Sequence, residues 1–381
     1  MNDWKSALRS NPIPWLLDNA CAPIRYRVLT ELLDRGRDDP DVQEARQDVI
    51  DYAPAKKLAK SQLADGTWKS RVHGGDPRKW EESLETNLSM LLESGWNRDQ
   101  AEVRLAAKTL RSFLTVKKSL PLFEFQKLVK ADPVREQYYR WFLRIMALGL
   151  LIRSGYGEDR SNTAVLELLD LCSGFVDNPV SRAPTEEIGA ALPLIRAKVT
   201  NRGYSFIPDL YILRVLAFSP WLIEGELAKM RLRKIADYIV SPTYQKMAPE
   251  LGLVRTSKGT FAKGNGIIIH PLDYYQTQGN VDELMMILEL FGRLGLINRY
   301  PQLIAHFDWL HGLQEKNGRW NLPTKLINES SRWAHLLRIE RDWRSPARKE
   351  ADLTFRMLLI LKNQWERQVL MLDRFDDGYP I

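Results

Sequence analysis

The stretch GTFAKGNGIIIHPLDYYQTQGN gathers Lys263, His270, Asp273, Tyr274, Tyr275 and Gln276 within some twenty residues. Imidazole is the side chain whose ordinary pKa falls inside the physiological range, so His270 is the candidate general acid or base. Asp273 would orient it, Tyr275 belongs to the same catalytic group, and Tyr274 would wall the ligand. The glycines and prolines predict a long connection here, and long structured connections often line sites. The plainer alternative is a plug whose histidine is hydrogen-bonded and whose rings are simply packed.

Two other groups are suited to binding. RIERDWRSPARK sets Arg338, Arg341, Arg344, Arg348 and Lys349 around Trp343, and guanidinium forks recognise carboxylates and diphosphates. Glu340, Asp342 and Glu350 are interleaved with them, as on an ion-paired solvated helix face. The aromatic residues, among them Trp80, Trp141 and Trp333, are candidates for a ligand-binding wall, since ring faces attract cations, but a large helical core needs the same rings. In KWEESLETNLSMLL, Glu82 and Glu85 would supply inward carboxylates, although a partly exposed helix start is the simpler expectation.

Elements able to position such groups follow from periodicity. Leu84, Leu88, Leu91 and Leu92, or Leu284, Ile287, Leu288 and Phe291, recur at helical spacing. Only GIIIH, 266–270, reads as a short extended stretch. Gly95, Gly155 and Gly295 each stand between an apolar helix and another helical segment, where a left-handed C-terminal residue is wanted. A second recurrence joins SQLADGTWKS to LQEKNGRWNL: Gln62 with Gln314, Gly66 with Gly318, Trp68 with Trp320. The glycine permits the turn, Asp65 or Asn317 bonds its amides, and the indole lies against the Gln amide while packing on the outer helices, which makes the motif a clasp between neighbouring hairpins.

This Gln, Asp/Asn, Gly, Trp spacing resembles the QW repeat of squalene and hopene cyclases, in the superfamily of terpenoid cyclases and protein prenyltransferases. The stretch SRWAHLLRIERDWRSPARKEADLTFRMLLILK is also similar to the C-terminal part of squalene-cyclase-like proteins. With the three glycine turns, the resemblance covers most of residues 50–365. It implies an α/α toroid whose central cavity holds an isoprenoid chain. The family's protonating Asp-x-Asp-Asp element is not found. The string Asp373 to Asp377 is mis-spaced for it, as are Asp38, Asp39 and Asp41 for a metal-binding acid motif. Asp170 and Cys172 superficially match the Asp-x-Cys zinc pair of the prenyltransferases. In a continuing helix, however, residues two apart point to different sides.

The chain has 381 residues, 44% of them apolar, a net charge of +7 and a pI near 9.2, a mild surplus favouring anionic partners without a nucleic-acid signature. Two cysteines exclude a disulfide framework, and the lack of a leader or long apolar run points to the cytoplasm. The expectation is one all-α domain, with an N-terminal helical arm over residues 1–50 and an α/α toroid of about five to six hairpins over 51–381. Neither cofactor nor metal is anticipated. An apolar, isoprenoid-like small molecule would occupy an aromatic-lined cavity. The competing reading is a non-catalytic scaffold for a protein or another acidic partner.

Overall fold

Helix starts in this chain repeatedly pair a polar side chain with proline. Asp39, Asp132 and Ser241 precede Pro40–Asp51, Pro133–Arg153 and Pro242–Met247, and accept amides of Asp41, Arg135 and Tyr244 at 2.9, 3.1 and 3.3 Å. The cap satisfies an otherwise orphaned donor, while proline has no amide to orphan and is already set near helical φ. A computed structural model describes residues 3–74, 79–114, 121–129, 132–157, 159–187, 193–201 and 204–371, with the backbone alone of Trp80, Asp159, Asn201, Arg332, Trp333 and His335. The described chain is mostly helical. Among the described residues no helix is long and apolar enough to cross a membrane.

Cα proximity divides the chain into two compact units. The first comprises Met1–Lys60, Ser89–Trp96 and His270–Ile381; the second comprises Ser61–Leu88 and Asn97–Ile269. In the first, Val281–Arg293 packs along Pro346–Met371, and Ala22–Arg27 lies on Pro40–Asp51. The predicted stripe Leu284, Ile287, Leu288 and Phe291 is fully buried. A cluster of charges is buried with it. Glu93 Oε2 meets Arg27 Nη1 at 2.6 Å and Arg356 Nη2 at 2.8 Å, and Arg356 Nη1 meets Glu289 Oε2 at 2.6 Å.

In the second unit, Pro133–Arg153 packs between Ala101–Phe113 and Leu210–Ala217, and Asp159–Asp177 lies on Glu226–Val240. Two small sheets complete it. The larger runs in the order Thr185–Glu186, Leu194–Ile195, Leu253–Thr256, Gly259–Ala262, with its one parallel pairing between the second and third of these strands. Thr200–Asn201 and Tyr204–Ser205 form the smaller. The expected extended stretch at 266–270 is not a strand. The nearby strands are instead Leu253–Thr256 and Gly259–Ala262, and the supposed loop at 259–280 also contains the helix Leu272–Gln278.

The glycine turns form as the residue pattern predicts. Gly95, Gly155 and Gly295 have φ of 84°, 90° and 68°. Each donates its amide three residues back, and the next residue donates five back: Trp96 to Leu91, Tyr156 to Leu151 and Leu296 to Phe291, all within 3.0 Å. These are Schellman ends, with the apolar residue after the glycine folded against the body.

The two Gln-Gly-Trp copies also match bond for bond. The side-chain amide of Gln62 donates to the Gly66 carbonyl at 3.1 Å, and that of Gln314 to the Gly318 carbonyl at 2.8 Å. Asp65 and Asn317 accept the amides of Thr67 and Arg319, each at 2.9 Å. Both indoles are buried. Each glutamine then grips a second segment: Gln62 the Glu102 carbonyl at 3.0 Å, Gln314 the Ser10 carbonyl at 3.2 Å. The first copy clasps a helix, Ala101–Phe113, as expected. The second clasps the stretch ahead of the helix Ile13–Asn19 instead of a neighbouring hairpin.

Candidate functional site

The second unit contains a histidine that its surroundings fix from several sides. The start of Leu84–Glu93 is tied to the preceding turn, because the amides of Leu84 and Glu85 donate to the carbonyls of Arg71 and Val72, both at 3.0 Å. Across that turn, Glu124 accepts the amides of Val72 and His73 at 3.1 and 2.7 Å. His73 Nδ1 therefore lies 2.7 Å from Glu85 Oε2, which also accepts the Gly74 amide at 3.0 Å. The Tyr211 hydroxyl donates to Glu85 Oε1 at 2.7 Å and stands 3.3 Å from His73 Nδ1.

Burial alone would raise the Glu85 carboxyl. The facing His73 and the bonds from His73, Gly74 and Tyr211 outweigh that effect and hold it at about 2. An ionised Glu85 assigns an Nδ1 proton to the shared bond and leaves Nε2 outside it. The ring is enclosed by Phe142, edge-on at 4.8 Å, and Phe125, near-parallel at 5.8 Å. A base oriented by a carboxylate and shielded by apolar rings is suited to general acid–base chemistry.

His73 borders a cavity of about 480 Å³, within the range that encloses a small molecule. Phe125, Tyr138, Tyr139 and Phe142 give it an aromatic wall, and Arg71, Lys127 and Glu124 its charges. Phe125 and Tyr139 stack at 4.3 Å. The wall is braced from behind. Tyr138 donates to the Lys263 carbonyl at 2.7 Å, and the buried Lys263 ammonium pairs with Asp209, the N-cap of Leu210–Ala217.

No family model, curated protein or solved structure matches the chain.

The residues chosen from sequence are placed elsewhere. In the first unit His270 stacks on Tyr274 at 3.9 Å and meets Tyr275 edge-on at 5.8 Å, while its backbone amide donates to the Tyr275 hydroxyl at 3.3 Å. Tyr275 also faces the buried His306 edge-on at 5.3 Å. These rings do come together. Asp273 is exposed, and its carboxylate accepts the Tyr274 amide at 3.0 Å rather than the His270 ring. Burial lowers the pKa of both histidines.

Trp141 is buried against Phe206 and Arg144, away from the cavity lining. Arg338 ends the helix Arg332–Leu337, and Arg341 is exposed beside Asp342 at 3.6 Å, an ion pair of the solvated kind. The side chains of Trp80 and Trp333, and the acids Asp373, Asp376 and Asp377, lie outside the described residues. Asp170 pairs with Arg231 at the surface, whereas Cys172, within the same helix Asp159–Asp177, is fully buried.

The sequence reading passes over His73 and Tyr211 and gives Glu85 a partly exposed helix start. Glu85 is in fact buried in the dyad, while Glu82 is the surface carboxylate, paired with Lys69 at 2.7 Å. The available signal was small: a histidine before two glycines in RVHGGDP, twelve residues ahead of an acid in the first turn of an apolar helix.

Proposed function

We propose that the second unit binds an apolar, ring-bearing or isoprenoid-like small molecule in the cavity beside His73, and that His73 exchanges a proton with it. The observation carrying this reading is the 2.7 Å contact of His73 Nδ1 with Glu85 at the edge of an aromatic cavity. With Nδ1 committed to the carboxylate, Nε2 takes a proton from the ligand, the ligand atom keeps the electron pair, and Glu85 balances the imidazolium formed. Tyr211 is a positioning residue that fixes the other Glu85 oxygen. Kinship with the squalene-cyclase-like α/α toroids belongs to the same proposal. The two equivalent clasps and three glycine-ended turns support it, as two free cysteines support a reducing, cytoplasmic setting.

Ala262 lines the cavity from an exposed position on Gly259–Ala262 and is not among the hydrogen-bond partners of His73 or Glu85, so Ala262→Trp is the change chosen to fill it. The parent chain should bind the neutral apolar dye Nile red and retain a lipid-range adduct in native mass spectrometry after purification from its host. Ala262→Trp should do neither. Equal dye binding and equal adducts in both proteins would place the ligand elsewhere and end this reading.

A further inference from the structure

We infer that the ligand of the His73 cavity is an amphiphilic monocarboxylate, its apolar body against Phe125, Tyr139 and Phe142 and its carboxylate between Arg71 and Lys127. This rests on the cavity being a binding site and adds the charge of its occupant. Arg71 and Lys127 both line the cavity, and among the described residues neither side chain makes a hydrogen bond or an ion pair. Arg71 Nε is moreover enclosed by protein without an acceptor. A guanidinium left so is costly unless something anionic completes it.

The other charges of the lining are already engaged. Glu124 spends both oxygens on the amides of Val72 and His73, and the Lys263 ammonium is buried against Asp209. Counted over the lining, two cations that form no ion pair against one committed carboxylate leave a single positive charge; Glu82, outside the lining, feels Arg71 but is already paired with Lys69. That suits a carboxylate better than a diphosphate, which would bring two or three charges. His73 sits two residues from Arg71 on the same wall, so a ligand anchored by its carboxylate presents the adjoining carbon atoms to the imidazole. An apolar body with an anionic end also matches a lining that holds Phe125, Tyr138, Tyr139 and Phe142 together with Arg71 and Lys127.

The test is calorimetric titration of the full chain with 2-naphthylacetate and its neutral counterpart 2-(2-naphthyl)ethanol. The acid should bind roughly tenfold more tightly than the alcohol, the gain expected of one charge-assisted contact. Lys127→Gln, a change at an exposed position, should remove most of that advantage and leave the alcohol unaffected. Arg71→Gln should do the same, with circular dichroism confirming its fold. Equal binding of acid and alcohol by the parent would overturn the anionic head while leaving the cavity reading in place. Tighter binding of geranyl diphosphate than of the acid would overturn the monoanion. Binding of neither compound, or binding unchanged by Ala262→Trp, would remove the cavity reading and this inference together.

Discussion

One carboxylate oxygen, Glu93 Oε2, accepts from Arg27 at 2.6 Å and from Arg356 at 2.8 Å, so a single acid joins early and late helices of the first unit. Arg356 also donates to the Leu336 carbonyl at 3.1 Å, and Arg27 lies over the Phe355 ring at 4.8 Å. Removing the acid takes one carboxylate from two buried guanidinium groups, leaving Arg27 with Glu31 and Arg356 with Glu289 and the cluster with an uncompensated positive charge. Glu93→Ala should therefore cost about 3–5 kcal/mol, the penalty typical of breaking a buried ion pair from one side. Urea titration followed by tryptophan fluorescence measures it, and a loss below about 1 kcal/mol would show those charges to be hydrated.

The matched clasps predict matched costs. Gln62→Ala and Gln314→Ala each take the donor from two buried or half-buried carbonyls and should each lower stability by about 1–3 kcal/mol. Gly318→Ala should cost more than Gln314→Ala, because φ is 85° there and an added Cβ would collide with the Ser10 carbonyl. Thermal unfolding of the three variants gives the order. Gly318→Ala melting like the parent would mean that the turn relaxes freely.

Acid should weaken the first unit through His306. Among the described residues neither of its ring nitrogens makes a hydrogen bond, and burial lowers its pKa, with the nearby His270 backbone offsetting only part of this. A folded pKa below the unfolded value of about 6.5 means that the stability is complete above that pH and is lost as pH falls through the folded value. Asp352 titrates in the opposite sense. Burial raises it to about 7 against hydrogen bonds from Trp343 and the Ile339 amide, so its protonation favours the fold on acidification. The comparison is thus between parent and His306→Leu. The variant should lose less stability between about pH 7 and about pH 5, and identical slopes would acquit His306.

At the dyad, Glu85→Gln should disturb the imidazole more than Tyr211→Phe, since only the first replaces the charged, acceptor-only group facing Nδ1 by a neutral amide that can also donate. Nitrogen-15 spectra of labelled protein should show His73 protonated at Nδ1 in the parent and in Tyr211→Phe, and a mixture of tautomers in Glu85→Gln. Glu85 also bears on acid stability. Its pKa is depressed to about 2, so its contribution is present above the unfolded value near 4.5 and lost between there and about pH 2. Glu85→Gln should flatten that limb. An unchanged Nδ1–H signal in Glu85→Gln would contradict the geometry.

The elements most legible in the sequence were those written in local backbone chemistry. Gly95, Gly155 and Gly295 announce Schellman ends because few other residues tolerate that φ. Gln62 and Gln314 announce clasps because each bonds within its own seven-residue turn. The site was poorly legible because it is tertiary. Tyr211 lies 126 residues from Glu85, and nothing local distinguishes a buried first-turn glutamate from a solvated one. His270 drew attention through a crowded stretch, yet its neighbour Asp273 serves only its own helix start. Strands of two to four residues are too short for alternation to reveal.

Gln314 reaches back 304 residues to Ser10 and also receives the Arg9 amide at 2.8 Å. On a ribosome, which makes chain from one end only, residues 9 and 10 wait for that partner while everything between is synthesised. The second unit, bounded by Ser61 and Ile269, is wholly translated before Gln314 appears. Maturation of the first unit is thereby deferred, and a nascent chain arrested before Gln314 would leave its earliest segment open to proteases or chaperones.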